Sequence, residues 1–196
     1  MANPEHTPSL DNFDRATVRL YRAGLVWVGG LLLATALWGL GLASWLGMSE
    51  SLETSLRVFG VGISGGMGLV VVNLHLYDKR IRWVIPCSAV LGLWLQCVGL
   101  ALPVSVGQHV LCMAGLGFVY VALSAVTLKE QFCFRIPGLK WSPLFLATSL
   151  IPGVMGEARI MGLILLPSAI LTLTLAVAKI RMPLGHDVGD KSRYQV

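Results

Sequence analysis

Six stretches of this chain are apolar for about as long as a bilayer is thick, and short breaks, most of them basic, separate them. Crossing roughly 30 Å of hydrocarbon at 1.5 Å per residue takes about 20 helical residues. The stretches are 25–47, 58–77, 83–102, 108–128, 142–156 and 160–178. The fifth is the shortest. Read as one helix, 142–178 would run about 55 Å, too long for a single crossing, so Glu157-Ala158-Arg159 marks a tight hairpin. The expected fold is all-α: a polytopic membrane protein of six transmembrane helices in a compact bundle, 25–178, between a tail at 1–24 and a polar tail at 179–196. Composition excludes the soluble alternative, since only 13% of residues are charged where a soluble domain carries about 25%.

The basic residues set an orientation. Arg15, Arg19 and Arg22 precede the first span; Lys79, Arg80 and Arg82 follow the second; Lys129, Arg135 and Lys140 follow the fourth; Lys179, Arg181, Lys191 and Arg193 follow the sixth. Only Arg57 and Arg159 fall on the other side. Basic residues near span ends stay cytoplasmic during insertion, so both termini are expected in the cytoplasm. Trp27, Trp83 and Trp141 at that end and Trp45 at the other fit an interfacial aromatic belt. The net charge of +5 is spread over loops and tails beside spans, so anionic lipid headgroups rather than nucleic acid are its expected partner.

The long mixed-charge lead before residue 25 and the length of the first apolar run argue for an uncleaved anchor rather than a signal peptide. Leu10, Phe13, Thr17, Leu20 and Gly24 share one helical face and Arg15, Arg19 and Arg22 another, the pattern of an amphipathic helix lying along the headgroups before turning into the first span.

Inside the spans, small residues form the strongest pattern. Gly60, Ser64 and Gly68 recur every four residues, Gly62 and Gly66 form a parallel row, and Gly39, Ala43 and Gly47 repeat the spacing in the first span. Such rows let helix backbones approach closely, and that approach also admits a flat ligand such as a pigment, quinone or lipid tail. Ionisable residues, the usual mark of ion-coupled carriers, are not expected within the spans. The polar candidates are Asn73, His75, Gln96, Gln108 and His109. His75 and His109 fall at opposite ends of their spans, too far apart for one haem iron, which leaves Asn73 and His75 as a candidate pigment or headgroup contact. Cys97 and Cys112 lie at matching depths across a short turn, where a disulfide is conceivable on a non-cytoplasmic side. No spacing suits a metal.

Cys133 lies in the loop Lys129-Glu130-Gln131-Phe132-Cys133-Phe134-Arg135-Ile136-Pro137-Gly138-Leu139-Lys140-Trp141. Cations, aromatic residues and a Pro-Gly turn make Lys129, Glu130, Phe132, Cys133, Phe134 and Arg135 a candidate cytoplasmic interaction face. Three segments, Leu20 to Leu25, Lys129 to Phe134 and Asp187 to Ser192, resemble a family of uncharacterised integral membrane proteins common in cyanobacteria. The resemblance implies a membrane protein of photosynthetic lineage, in a plasma or thylakoid membrane, and brings no catalytic residues or cofactor.

Two functions compete. One is a non-enzymatic scaffold or assembly factor for a membrane complex, or for further copies of itself, working through its cytoplasmic face. The other is a small inverted-repeat carrier or channel with a site between spans two and five, which would need an enclosed polar cavity there. Glu130, Cys133, His186, Asp187 and Asp190 face the same side, but their spacing fits neither a metal cage nor a nucleophile with its base.

Overall fold

The computed structural model describes residues 11–42, 52–74 and 79–185, with backbone alone at 52–56 and 79–82. Positions 43–47 and 75–77 of the first two expected spans, with Trp45 and His75, lie outside the described residues, as does the tail from 186. The described bundle is built from α1 (Asn12–Gly39), α2 (Leu52–Val72), α3 (Lys79–Ala101), α4 (Val106–Phe134), α5 (Ser142–Val154) and α6 (Ala158–Arg181), with a 3₁₀ turn at Leu139–Trp141. No strand occurs among the described residues. By length and composition, α1, α4, α6 and the Trp83–Ala101 part of α3 are able to cross a membrane; α2 offers the shorter apolar helix Arg57–Val72.

Local chemistry sets the helix ends. The Asp11 carboxylate accepts from the Asp14 amide at 2.7 Å and the Asp14 carboxylate from the Asp11 amide at 3.2 Å, a reciprocal cap that satisfies two otherwise orphaned donors. Ser105 caps α4 by accepting from the Gln108 amide at 3.2 Å. Arg135 ends α4 in the left-handed region at φ 50, and Pro143 occupies the first turn of α5, where its missing N–H costs nothing.

Successive helices run antiparallel. Each packs on its neighbours in the chain, α1 closes against α6, and α4 also touches α2 and α6, so α4 runs through the middle of the bundle. Helices α2 and α5 share no packed interface among the described residues; each packs on α4.

Glycines sit where backbones come closest. A Cβ added at Gly92 of α3 would lie 2.6 Å from the Gly115 carbonyl oxygen of α4, and one at Gly162 of α6 would lie 2.5 Å from the Ala36 carbonyl oxygen of α1. On α2, Gly60 meets Gln96, Gly62 meets Leu31, Gly66 meets Trp27 and Val28, and Ser64 is buried. Gly68 departs from the expected seam, since a side chain there would meet open space. Each four-residue step turns about 40° further around the helix, which carries Gly68 out of the row that Gly60 and Ser64 begin.

Two expectations about the spans change. The segment before residue 25 does not turn along the surface. It continues α1 as one 28-residue helix, about 42 Å long. Asp14, Thr17, Val18, Tyr21 and Arg22 are buried in line with Leu25, Val28 and Leu32, because the inward stripe carries on unbroken past Gly24, itself a contact with α2. The fifth span is a half-length helix. At 13 residues, α5 is about 20 Å long, and it begins deep in the bundle, where Ser142 and Ser168 of α6 share a hydrogen bond of 2.6 Å. The end of α4 lies beside Lys179 instead. Between Phe134 and Ser142 the chain thus descends along α6 by eleven residues, from Lys179 to Ser168, or about 16 Å. Along this stretch Leu139 is buried, while Arg135, Pro137, Lys140 and Trp141 are exposed.

The α3–α4 contact gives a stability test. Gly92→Ala should lower the detergent-solubilised melting temperature, an overpacking cost of about 1–3 kcal/mol. Gly65→Ala, which meets open space, should leave it unchanged or raise it slightly; equal losses at the two positions would refute the close approach.

Candidate functional site

The end of the bundle where α1 starts and α4 and α6 finish holds a buried charge cluster. Glu130 of α4 is 0% exposed. Its Oε1 accepts a 2.7 Å hydrogen bond from the Tyr21 hydroxyl of α1 and a 3.2 Å one from the Lys129 ammonium. Its Oε2 pairs with the Lys179 ammonium of α6 at 2.9 Å. Lys179, 3% exposed, also lies 5.3 Å from the Tyr21 ring centroid and 5.0 Å from that of Phe134, so two aromatic faces share its charge. Beside the cluster, Arg22 donates to the Met182 and Pro183 carbonyl oxygens at 2.7 and 3.2 Å. That tie holds the chain leaving α6 against α1.

Position along the helices explains the charges. Glu130 lies near the C-terminus of α4, where the helix dipole is negative and a carboxylate is disfavoured, whereas Lys179 at the end of α6 is favoured. The two lysines and the tyrosine offset both the dipole and the loss of water around Glu130. The arrangement is that of a clamp, since the Tyr21 and Lys179 contacts of the carboxylate, at 2.7 and 2.9 Å, join three helices; among the described residues no group of three His, Cys, Asp or Glu gathers to hold a metal.

The expected interaction face divides in two. Phe132, 84% exposed, points outward with Cys133 and Arg135. Glu130 does not belong to that face: buried at the junction of three helices, it presents nothing to a partner. Phe134 and Lys129 are half-buried in the same cluster. At the end of α2, Asn73 donates one of its two amide hydrogens to the Leu69 carbonyl of its own helix at 2.8 Å. His109 Nε2 bonds the Gly153 carbonyl at 2.8 Å, joining α4 to α5. Cys97 and Cys112 do not pair: both are free thiols, Cys97 exposed and Cys112 buried against Gly99 of α3.

Arg57 also moves from its expected place. It is not in a loop; α2 starts at Leu52, ahead of the apolar stretch, so Arg57 lies inside the helix at 8% exposed. The partners of the clamp were harder to read, because Tyr21 and Glu130 are 109 positions apart. Their one shared signal is that Tyr21, Glu130 and Lys179 each stand at the same end of an apolar run.

An all-helical bundle with several helices able to cross a membrane, sealed by ion pairs at one end, defines an integral membrane protein. The chain belongs to the family described as "Uncharacterized integral membrane protein (DUF2301)", whose profile matches residues 69–196. The match takes in the 129–134 and 187–192 segments. An uncharacterized protein of Haemophilus influenzae is similar over the whole length, 30% identical over 196 residues and covering 100% of each chain. No solved structure matches.

The clamp predicts a specific non-additivity. Glu130→Leu or Lys179→Met alone should destabilise the purified protein by about 3–5 kcal/mol, because each leaves a buried charge without its partner. The double variant should cost less than either single one, read from melting temperatures in one detergent. Additive losses would mean that the two side chains are not coupled.

Proposed function

We propose that this protein is a non-enzymatic membrane scaffold or assembly factor that crosses the membrane six times, keeps both termini in the cytoplasm and grips a partner through its basic end. The observation that carries the reading is Phe132. A large aromatic side chain, 84% exposed, stands at the tip of a helix whose last turns are pinned by Glu130, with exposed Arg135 beside it. Exposed aromatics next to arginine are the composition of binding hot spots, and a pinned helix loses little entropy on docking. Arg15 and Arg19 of α1 and Arg181 of α6 are exposed at the same end, so the favoured partner is a membrane protein complex with an acidic cytoplasmic surface, anionic headgroups lying around the contact. Full-length similarity to a Haemophilus protein supports a role that is not tied to a photosynthetic complex.

Phe134 and Glu130 have to stay intact in a fair test, since they hold the clamp. Phe132→Ala combined with Arg135→Gln should leave the melting temperature of the purified protein nearly unchanged and shift it, in native membranes, from a high-mass assembly on native gels to its own mass. If the variant migrates with the same partners as the wild type, the scaffold reading is wrong.

A further inference from the structure

The connection between α4 and α5 leaves polar groups at a depth where lipid tolerates none. Ser142 meets Ser168 near the midpoint of α6, and a Cβ added at Gly138 would lie 3.6 Å from the Leu171 side chain, about 12 Å below Lys179 along α6. Lys140 and Trp141 lie between those two contacts in the chain. Both are exposed, with the ammonium 5.5 Å from the Trp141 ring centroid. Irregular backbone at such depth persists only against protein or in a water-filled recess. Buried Leu139 meets the first condition; exposed Pro137, Lys140 and Trp141 need the second. The half-length of α5 provides it, since from Ser142 toward the basic end only this connection, packed on α4 and α6, fills the place of a helix.

Charge selects what enters the recess. Among the described residues Lys140 has no ion pair, in contrast to Lys129 and Lys179. No acidic residue stands between Glu130 and Glu157 or anywhere in α6, and the Glu130 carboxylate is taken up by the clamp. Helix α5 begins at the same level without a side-chain cap, which adds the positive end of its dipole. An uncompensated cation within the apolar depth of a bilayer is costly unless headgroups or water come down to it. Below Lys140, Leu144 and Ile151 are 52% and 65% exposed, seven residues apart on one face of α5, the bed for an acyl chain. We propose that the recess seats one anionic phospholipid, its phosphate drawn below the plane of its leaflet to the ammonium of Lys140. The occupant is a lipid and not a free anion, because the cation and the apolar face of α5 adjoin. The proposal depends only on α4 and α6 crossing the membrane, and not on a protein partner.

Native mass spectrometry of the full-length protein reads which lipid stays bound. From micelles holding phosphatidylglycerol and phosphatidylcholine in equal amounts, the wild type should retain one phosphatidylglycerol in preference. Lys140→Gln should cut that preference about fivefold, the worth of one cation at an anionic headgroup, and Lys140→Arg should keep it. In phosphatidylcholine micelles alone, Lys140→Gln should melt no lower than the wild type, since it removes an uncompensated charge. Phe132→Ala, which disables the docking face, should leave the lipid preference as it is, so the two readings fail separately. Equal retention of both lipids by the wild type would leave water as the occupant and overturn the proposal. A preference that survives Lys140→Gln would place the lipid on the surface arginines and overturn it as well. So would a lower melting temperature for Lys140→Gln in phosphatidylcholine alone, which would make Lys140 part of the packing.

Discussion

The carboxylate of Glu130 is the interaction on which the rest of the basic end depends. It is a single negative charge, removed from water and placed at the unfavourable end of its helix. Its first turn of neighbours comes from three helices: Tyr21 from α1, Lys129 from α4 itself and Lys179 from α6. Each neighbour fixes a different relationship. Tyr21 sets how far α1 extends past the apolar region, Lys179 sets the register of α6 against α4, and the Phe134 ring over Lys179 sets where α4 stops. Buried pairs of this kind are weak evidence for net stability. Their effect is on uniqueness, because a sliding of α1 or α6 by one turn would strand a charge.

With the helix ends fixed in that way, glycine decides the spacing between helices. The Gly92–Gly115 and Gly39–Gly162 approaches place backbone against backbone, where dispersion replaces the hydrophobic drive that lipid cannot supply. The short α5 follows from the same constraint. With α4 running on to Phe134 and α6 to Arg181, the connection has to travel back down the bundle, and it does so as largely irregular backbone anchored by buried Leu139, with Arg135, Pro137, Lys140 and Trp141 exposed. Phe132 and Arg135 therefore mark the tip of a rigid helix, and not the middle of a mobile loop.

Much of this was legible in the sequence, and for a physical reason. Lipid demands long apolar helices, so the stretches 83–102 and 160–178 anticipate α3 at Lys79–Ala101 and α6 at Ala158–Arg181 closely. The seam at Gly60, Gly62, Ser64 and Gly66 was legible as well, because small residues at fixed spacing have few other uses in a membrane. Hydropathy reports where charge begins and not where helix ends, so it missed the early turns of α2 and set the start of α1 apart as a separate interfacial helix. It also put Arg57 and Glu130 at the surface. Whether a charge next to an apolar run faces water or a partner on another helix is decided by residues more than a hundred positions away, and one sequence does not display that pairing.

The two ends of the bundle solve the problem of buried polarity in opposite ways. At the basic end the buried carboxylate has met cations and a hydroxyl, so the helices there have little reason to move. At the other end the Gln96 Nε2 and the Gln108 Oε1 are buried without a hydrogen-bond partner. Since α4 runs through both regions, Gln108 and Phe132 lie on one helix about 35 Å apart along its axis. Coupling between them would require α4 to have two discrete positions. The clamp at Glu130 opposes that, so the two ends are expected to work independently for as long as the clamp is closed.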